Sequence, residues 1–312
     1  MKLYNARSFV IVLGLLTTAQ QAWAADAAKT ETLDDLAAYI SLGHLSGEAH
    51  ELVYNPDGSK LSELIWDMDH ALVVNGGLSW QAAERLKFYG NVSLGLAADN
   101  YMDDYDWEFS PPPAEPNLHS WHHDTELDHY YSVDLGLGYL LHKNGTNDVS
   151  LLGGFKHTSI KWTALGGCYN YDGDEGCFND GDKVISYQLS LPAAYLGLGY
   201  LGNLDRWTLS LEGRGGMTLS MAKGDDDHWL RDLNFVDELE PEPYIALNGK
   251  AAYALTGKAD LVGSVAYDKF FRMKGETTTT DKNSEEVTQS GYDSGGADLY
   301  TLNIAVGVNY RF

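Results

Sequence analysis

The chain has 312 residues, 21 of them basic and 45 acidic, for a formal net charge of −24. Such a surface repels nucleic acid and attracts cationic partners, and it also serves solubility. No stretch beyond the N-terminal leader stays apolar for the ~18 residues that a membrane-spanning helix needs, which excludes a helical membrane protein.

Lys2 and Arg7 flank the start of the apolar run "FVIVLGLLTTA", and "AWA" at 22–24 is a small-x-small cleavage site. Residues 1–24 therefore read as a secretory signal peptide and 25–312 as the mature domain. The leader carries two basic residues and no acid, so its removal leaves the chain still more acidic.

The mature chain alternates in polarity almost throughout. Runs with a period of two lie near 36–54, 61–80, 86–100, 131–141, 148–165, 183–201, 207–222, 243–256, 258–274 and 298–312. In 131–141 the odd positions are Tyr131, Val133, Leu135, Leu137, Tyr139 and Leu141, while Asp134 lies on the even face. In 207–222 the odd face holds Trp207, Leu209, Leu211, Met217, Leu219 and Met221, and the even face Glu212 and Arg214. A soluble sandwich core would not accept those charges, but the lumen of a membrane barrel does. About ten such runs predict an all-β fold, a ten-stranded antiparallel transmembrane β-barrel.

"LHKNGTND", "LGNLD" and "LTGKA" predict tight periplasmic turns. The connections 101–128, 166–182, 223–240 and 275–296 predict long polar loops on the outer side. The last strand places Leu302, Ile304, Val306, Val308, Tyr310 and the terminal Phe312 on one face, the form of an outer-membrane assembly signal. The many Tyr and Trp residues suit aromatic girdles at both interfaces.

Cys168 and Cys177 bracket the short polar loop "YNYDGDEG". In an exported chain this reads as a disulfide, with two free thiols as the alternative; no further Cys exists to complete a soft metal site. Acid groups crowd two strand ends, at "YMDDYDWEF" (101–109) and "KGDDDHW" (223–229). Extending the 207–222 parity turns Gly224, Asp226 and His228 inward, and an ionised Asp226 beside His228 is expected to raise the imidazole pKa and fix its tautomer. In 88–98 the apolar face is even, so Asp104 and Asp106 point outward unless a bulge shifts the phase. If the four meet, two close carboxylates hold a water that the His–Asp pair deprotonates. Calcium binding at 172–176 or 224–227 is a rival, although neither stretch has full calcium-loop spacing. Plain solvated acidity is the other.

At these residues the chain resembles the omptins, outer-membrane aspartyl-histidyl proteases. "ISLGHLSGEAHELVY" at 40–54 resembles the family's first strand, Asp104-x-Asp106-Trp107 its Asp-x-Asp-Trp, "HDTELDHYYSVDL" at 123–135 the entry to its fourth strand, and Asp226-x-His228 its Asp-x-His. The resemblance implies an endopeptidase with its cleft at the extracellular mouth. Asp104 and Asp106 are then the water-holding couple, Asp226 and His228 the base dyad, and Glu51 an acid of the pocket for a basic side chain. The family's second pocket acid is Gly224 here, which puts that preference in doubt. The resemblance also implies lipopolysaccharide as an activator, yet two of the basic lipid-gripping positions are Ser159 and Ser190, so that lipid activation is either weaker here or uses other residues such as Lys156 or Lys161. Expected partners are cationic peptides or proteins and outer-membrane lipid, with no metal, no nucleic acid and a monomeric barrel. The rival from another class is a non-enzymatic adhesin or invasion barrel that uses the same loops; a diffusion pore is disfavoured because about ten strands leave little lumen.

Overall fold

Strands that alternate between apolar and charged residues need an apolar medium on one face and a polar interior on the other. The computed structural model, which describes residues 36–108 and 113–312, meets that need by closing one sheet on itself. The leader assigned to 1–24 lies outside the described residues, as do residues 109–112.

The strands are β1 (Leu36–Tyr54), β2 (Lys60–Ala83), β3 (Leu86–Asp106), β4 (Leu118–Lys143), β5 (Asn147–Leu165), β6 (Cys168–Tyr171), β7 (Asp174–Cys177), β8 (Lys183–Leu204), β9 (Trp207–Thr218), β10 (Ala222–His228), β11 (Leu233–Leu239), β12 (Pro243–Ala254), β13 (Ala259–Asp281) and β14 (Val287–Arg311). Ten of them form the ring in the order β1, β2, β3, β4, β5, β8, β9, β12, β13, β14. The β1–β14 ladder, from Ala37↔Arg311 to Val53↔Gly295, closes it. Above β9 and β12 the wall continues in β10, paired with β8 and β11, and in β11, paired with β13. The hairpin β6–β7 adds to the upper end of β4, from Leu118↔Tyr171 to Trp121↔Cys168. Cys168 and Cys177 face each other in that hairpin and are disulfide-bonded.

Much of what the composition marks as long loop is strand. β3 runs on to Asp106 and β4 begins at Leu118, while β13 reaches Asp281 and β14 starts at Val287. The 223–240 connection is the β10–β11 hairpin. The physical reason is that each extension finds a ladder partner, and an inward-facing acid does not break a strand whose interior is polar. Asp104, Asp106, Asp226 and His228 therefore stand on strands, not on loops.

Leu42, Leu196, Leu211, Leu247 and Val306 each expose more than half of their surface and form an outward apolar belt. Near the short turns it is edged by the pairs Trp80–Phe88, Trp207–Tyr253 and Tyr310–Phe312, with ring centroids 5.0–5.9 Å apart. Inside the belt Arg214 meets Asp134 and Glu212, each at 2.7 Å, and Lys156 meets Asp268 at 2.7 Å. Lys156 thus turns into the lumen, and the expectation that it could grip lipid from outside is corrected. Higher up, Trp66 stacks on Trp162 and Tyr187, with centroids 5.8 Å apart in both cases. These buried rings fill the barrel below the mouth.

Candidate active site

The phase of β3 decides whether the first motif can take part. Val73 pairs with Gly95 but Leu72 pairs with Ala97, so Leu96 is an extra residue on β3. Below this bulge the even residues Val92, Leu94 and Leu96 are exposed; above it Asn100, Met102 and Asp104 are buried. β2 makes the matching flip at His70, whose φ of 54° lies in the left-handed region. The bulge required to turn Asp104 and Asp106 inward is present. On β10 the parity of β9 carries across residues 219–221, and Asp226 is buried.

Asp104, Asp106 and His228 line one cavity of about 260 Å³ at the mouth, together with Ser120, Tyr171 and Arg231. Asp226 stands behind His228, with Oδ2 2.7 Å from Nε2. The Ser62 hydroxyl donates to Asp104 Oδ1 at 3.3 Å. Burial pushes Asp104 well above the usual carboxylate range, and the neighbouring Asp106 pushes it further. Burial also raises Asp106, against the Ser62 hydroxyl. Such a couple resists joint ionisation and favours one shared proton.

The expectation that Asp226 raises His228 is corrected. Burial, reinforced by the Arg231 guanidinium, pushes the imidazole down to about 3. Asp226 is itself raised by burial, so its charge is not freely present to oppose the fall. Asp226 Oδ1 has no hydrogen-bond donor among the described residues, yet the Glu51 carboxyl lies within hydrogen-bonding reach. Burial, with Asp226 and Asp237 nearby, raises Glu51 as well.

Glu51 accepts from Trp66 Nε1 at 3.1 Å and is only 3% exposed. It lies beneath the dyad and does not line the cavity. The loss of an acid at Gly224 has a counterpart across the β10–β11 ladder, where Gly224 pairs with Asp237. Asp237 Oδ2 lies 3.4 Å from where a Gly224 Cβ would stand, and a Cβ on Gly295 would meet the same carboxylate at 2.2 Å. Two glycines thus make room for Asp237, which burial raises to about 7. Asp237, Tyr171 and Arg231 escaped the sequence reading. Recognising 223–240 as a hairpin centred on Leu230–Arg231 would have found Asp237 opposite Gly224.

The acids offered as calcium ligands are otherwise engaged or exposed. Asn234 Nδ2 bonds Asp225 at 2.8 Å and Asp227 at 3.1 Å, and Asp172, Asp174 and Glu175 are exposed on the hairpin. Among the described residues, no three His, Cys, Asp or Glu side chains are grouped to hold a metal ion. Ser159 is fully buried beside His129, at 3.1 Å.

A closed barrel with an outward apolar belt is the architecture of an outer-membrane protein, here with an acid–histidine cavity at its mouth. The chain belongs to the omptin family of outer-membrane proteases: the profile described as "Omptin family" matches residues 32–312. It is 30% identical to the plasminogen activator of Yersinia pestis over 284 residues, 89% of this chain and 90% of the relative. It is 28% identical to protease 7 of Escherichia coli K12 over 305 residues, covering 91% of this chain and 94% of the relative. The crystal structure of the outer membrane protease OmpT from Escherichia coli superposes with a TM-score of 0.83, at 24% identity, over 92% of this chain and 99% of that one. The protein is an outer-membrane β-barrel peptidase.

Proposed function

We propose that this peptidase is an endopeptidase of the aspartyl-histidyl type that cuts beside basic residues, using water held between Asp104 and Asp106 and deprotonated by His228. The observation that carries the reading is the shared cavity of Asp104, Asp106 and His228, with Asp226 2.7 Å behind the imidazole. Because Nε2 is engaged by Asp226, Nδ1 is the nitrogen left to take the water proton. The attacking oxygen joins the carbonyl carbon, and the proton then passes from His228 to the departing amine. The base works only while the Asp226–His228 pair holds a single proton, so the acidic limb of activity belongs to the pair.

Cationic substrates fit the field of the mouth. Asp104 and Asp106 line the cavity, Glu51, Asp226 and Asp237 are buried behind or beneath it, and a buried carboxylate ionises most readily beside a cation. Asp237 supports retention of the basic preference despite Gly224. Lipopolysaccharide, with Lys161 on the outward face, remains the proposed activator, and the barrel is proposed to act as a monomer.

One observation favours a second reading. Ser120 lines the cavity with its hydroxyl 3.1 Å from His122 Nε2, a serine–histidine pair. His122 Nδ1 bonds the Gly166 carbonyl at 2.6 Å, so no carboxylate orients it. The test is cleavage of a peptide library by purified barrel, with and without lipopolysaccharide, read by mass spectrometry. His228→Ala, Asp226→Asn and Asp104→Asn are each expected to lower kcat about 10²–10⁴-fold in a folded barrel. Glu51→Gln is expected to raise KM for Arg- and Lys-containing peptides. Full activity in His228→Ala with loss in Ser120→Ala would transfer the chemistry to the serine pair.

A further inference from the structure

The proposed mechanism supplies a water and a base but no group for the negative charge that forms on the scissile carbonyl. We propose that Tyr171, carried on the disulfide-closed hairpin β6–β7, is a catalytic hydrogen-bond donor to that oxyanion. The proposal rests on the aspartyl-histidyl reading above.

Register brings the phenol to the acids. Asp106 pairs with Leu118, and Leu118 pairs with Tyr171, so the three occupy one rung across β3, β4 and β6. Strands are spaced about 4.8 Å apart, which puts Tyr171 roughly 10 Å from Asp106 between Cα atoms, within reach of two facing side chains. The side chain lines the cavity that holds Asp104, Asp106 and His228. Burial, with the charge of Asp104, pushes the phenol up to about 12 against the hydrogen-bonding Ser120 hydroxyl beside it, so it keeps its proton wherever the base works.

The hairpin fixes the phenol in place. Its base is closed by the Cys168–Cys177 bond, and the Asp172 amide donates to the Asn117 carbonyl at 3.0 Å. The next residue, Phe178, stacks on His122 with centroids 5.6 Å apart. Fixed donors stabilise developing charge without reorganisation, which is where an oxyanion site gets its strength.

The other polar side chains of the cavity are less suited. His122 Nδ1 can bond the Gly166 carbonyl only as a donor, which leaves Nε2 bare in the neutral ring. The Ser120 proton is therefore spent on Nε2. His228 is occupied as base, and Arg231 is an exposed residue of the β10–β11 turn. In the step itself the water oxygen bonds to carbon and the carbonyl π pair moves to oxygen. The water proton goes to His228, and Tyr171 donates a hydrogen bond without losing its proton. Collapse breaks the C–N bond, and the amine leaves with the proton from His228.

The experiment uses the full barrel in its native membrane lipid, with the peptide that the parent cleaves best. Tyr171→Phe is expected to lower kcat about a hundredfold with KM nearly unchanged. Fluorotyrosines of graded acidity placed at 171 are expected to change kcat progressively with phenol acidity, which a packing role would not do. In the Tyr171→Phe background, Cys168→Ser with Cys177→Ser is expected to cost nothing further. An active parent with a Tyr171→Phe rate within twofold, or a flat fluorotyrosine series, overturns this proposal alone. A hundredfold loss in Arg231→Gln, with Tyr171→Phe unaffected, gives the role to the guanidinium and overturns it too. An inactive parent removes the underlying reading together with this one.

Discussion

Asp237→Asn tests the electrostatics of the mouth most directly. Asp237 is 7% exposed, and burial raises it from 3.8 to about 7, against the Thr277 hydroxyl that donates to Oδ1 at 2.7 Å. An acid whose pKa is higher folded than unfolded stabilises the fold below its unfolded value, and that contribution is lost as pH rises through the folded one. A shift of about 3 units, at 1.36 kcal/mol each, puts the cost of ionising it near 4 kcal/mol above about pH 7, as an upper bound. Asparagine keeps the Oδ1 acceptor for Thr277 and carries no charge. The variant is therefore expected to gain stability at pH 8, by a few kcal/mol and several degrees in Tm, and to match the parent near pH 4. Calorimetry in detergent micelles at the two pH values measures this. The acidic limb of peptidase activity should also move down, because Asp237 is among the charges that raise Glu51 and Asp226. An equal Tm difference at both pH values, or a loss at pH 8, would refute the reasoning.

Three further outcomes follow from the fold. Deleting Leu96 removes the bulge and exchanges the faces of upper β3, so Asp104 and Asp106 leave the cavity; a heat-modifiable barrel without peptidase activity is expected on gels and in turnover assays. Arg214→Met removes the cation from Asp134, which keeps only the Tyr195 and Asn91 hydrogen bonds, and is expected to cost at most about 3–5 kcal/mol, read as a lower urea midpoint. Reducing Cys168–Cys177 releases a short loop worth at most about 2–3 kcal/mol; limited proteolysis within 166–182 should accelerate while the gel shift of the folded barrel persists.

The barrel was legible in the chain because its signal is local. A period of two, with charges such as Asp134 and Glu212 opposite leucines, needs only the covalent geometry of a strand to sort the two faces, and the pairing of Cys168 with Cys177 needs only their short separation in an exported chain. The inward face of Asp226 and His228 followed from the same parity. The facing of Asp104 and Asp106 did not, because a bulge belongs to two strands at once: Leu96 is extra only relative to its pairing with β2. Lys156 turned out to serve the lumen and Asp237 to stand opposite Gly224, since both depend on which strand lies next door. The low pKa of His228 depends on how much water the closed mouth excludes and on Arg231 from the adjoining turn. Residue types and their alternation were decided by the sequence alone; protonation, and which acids meet, were decided by closure of the ring.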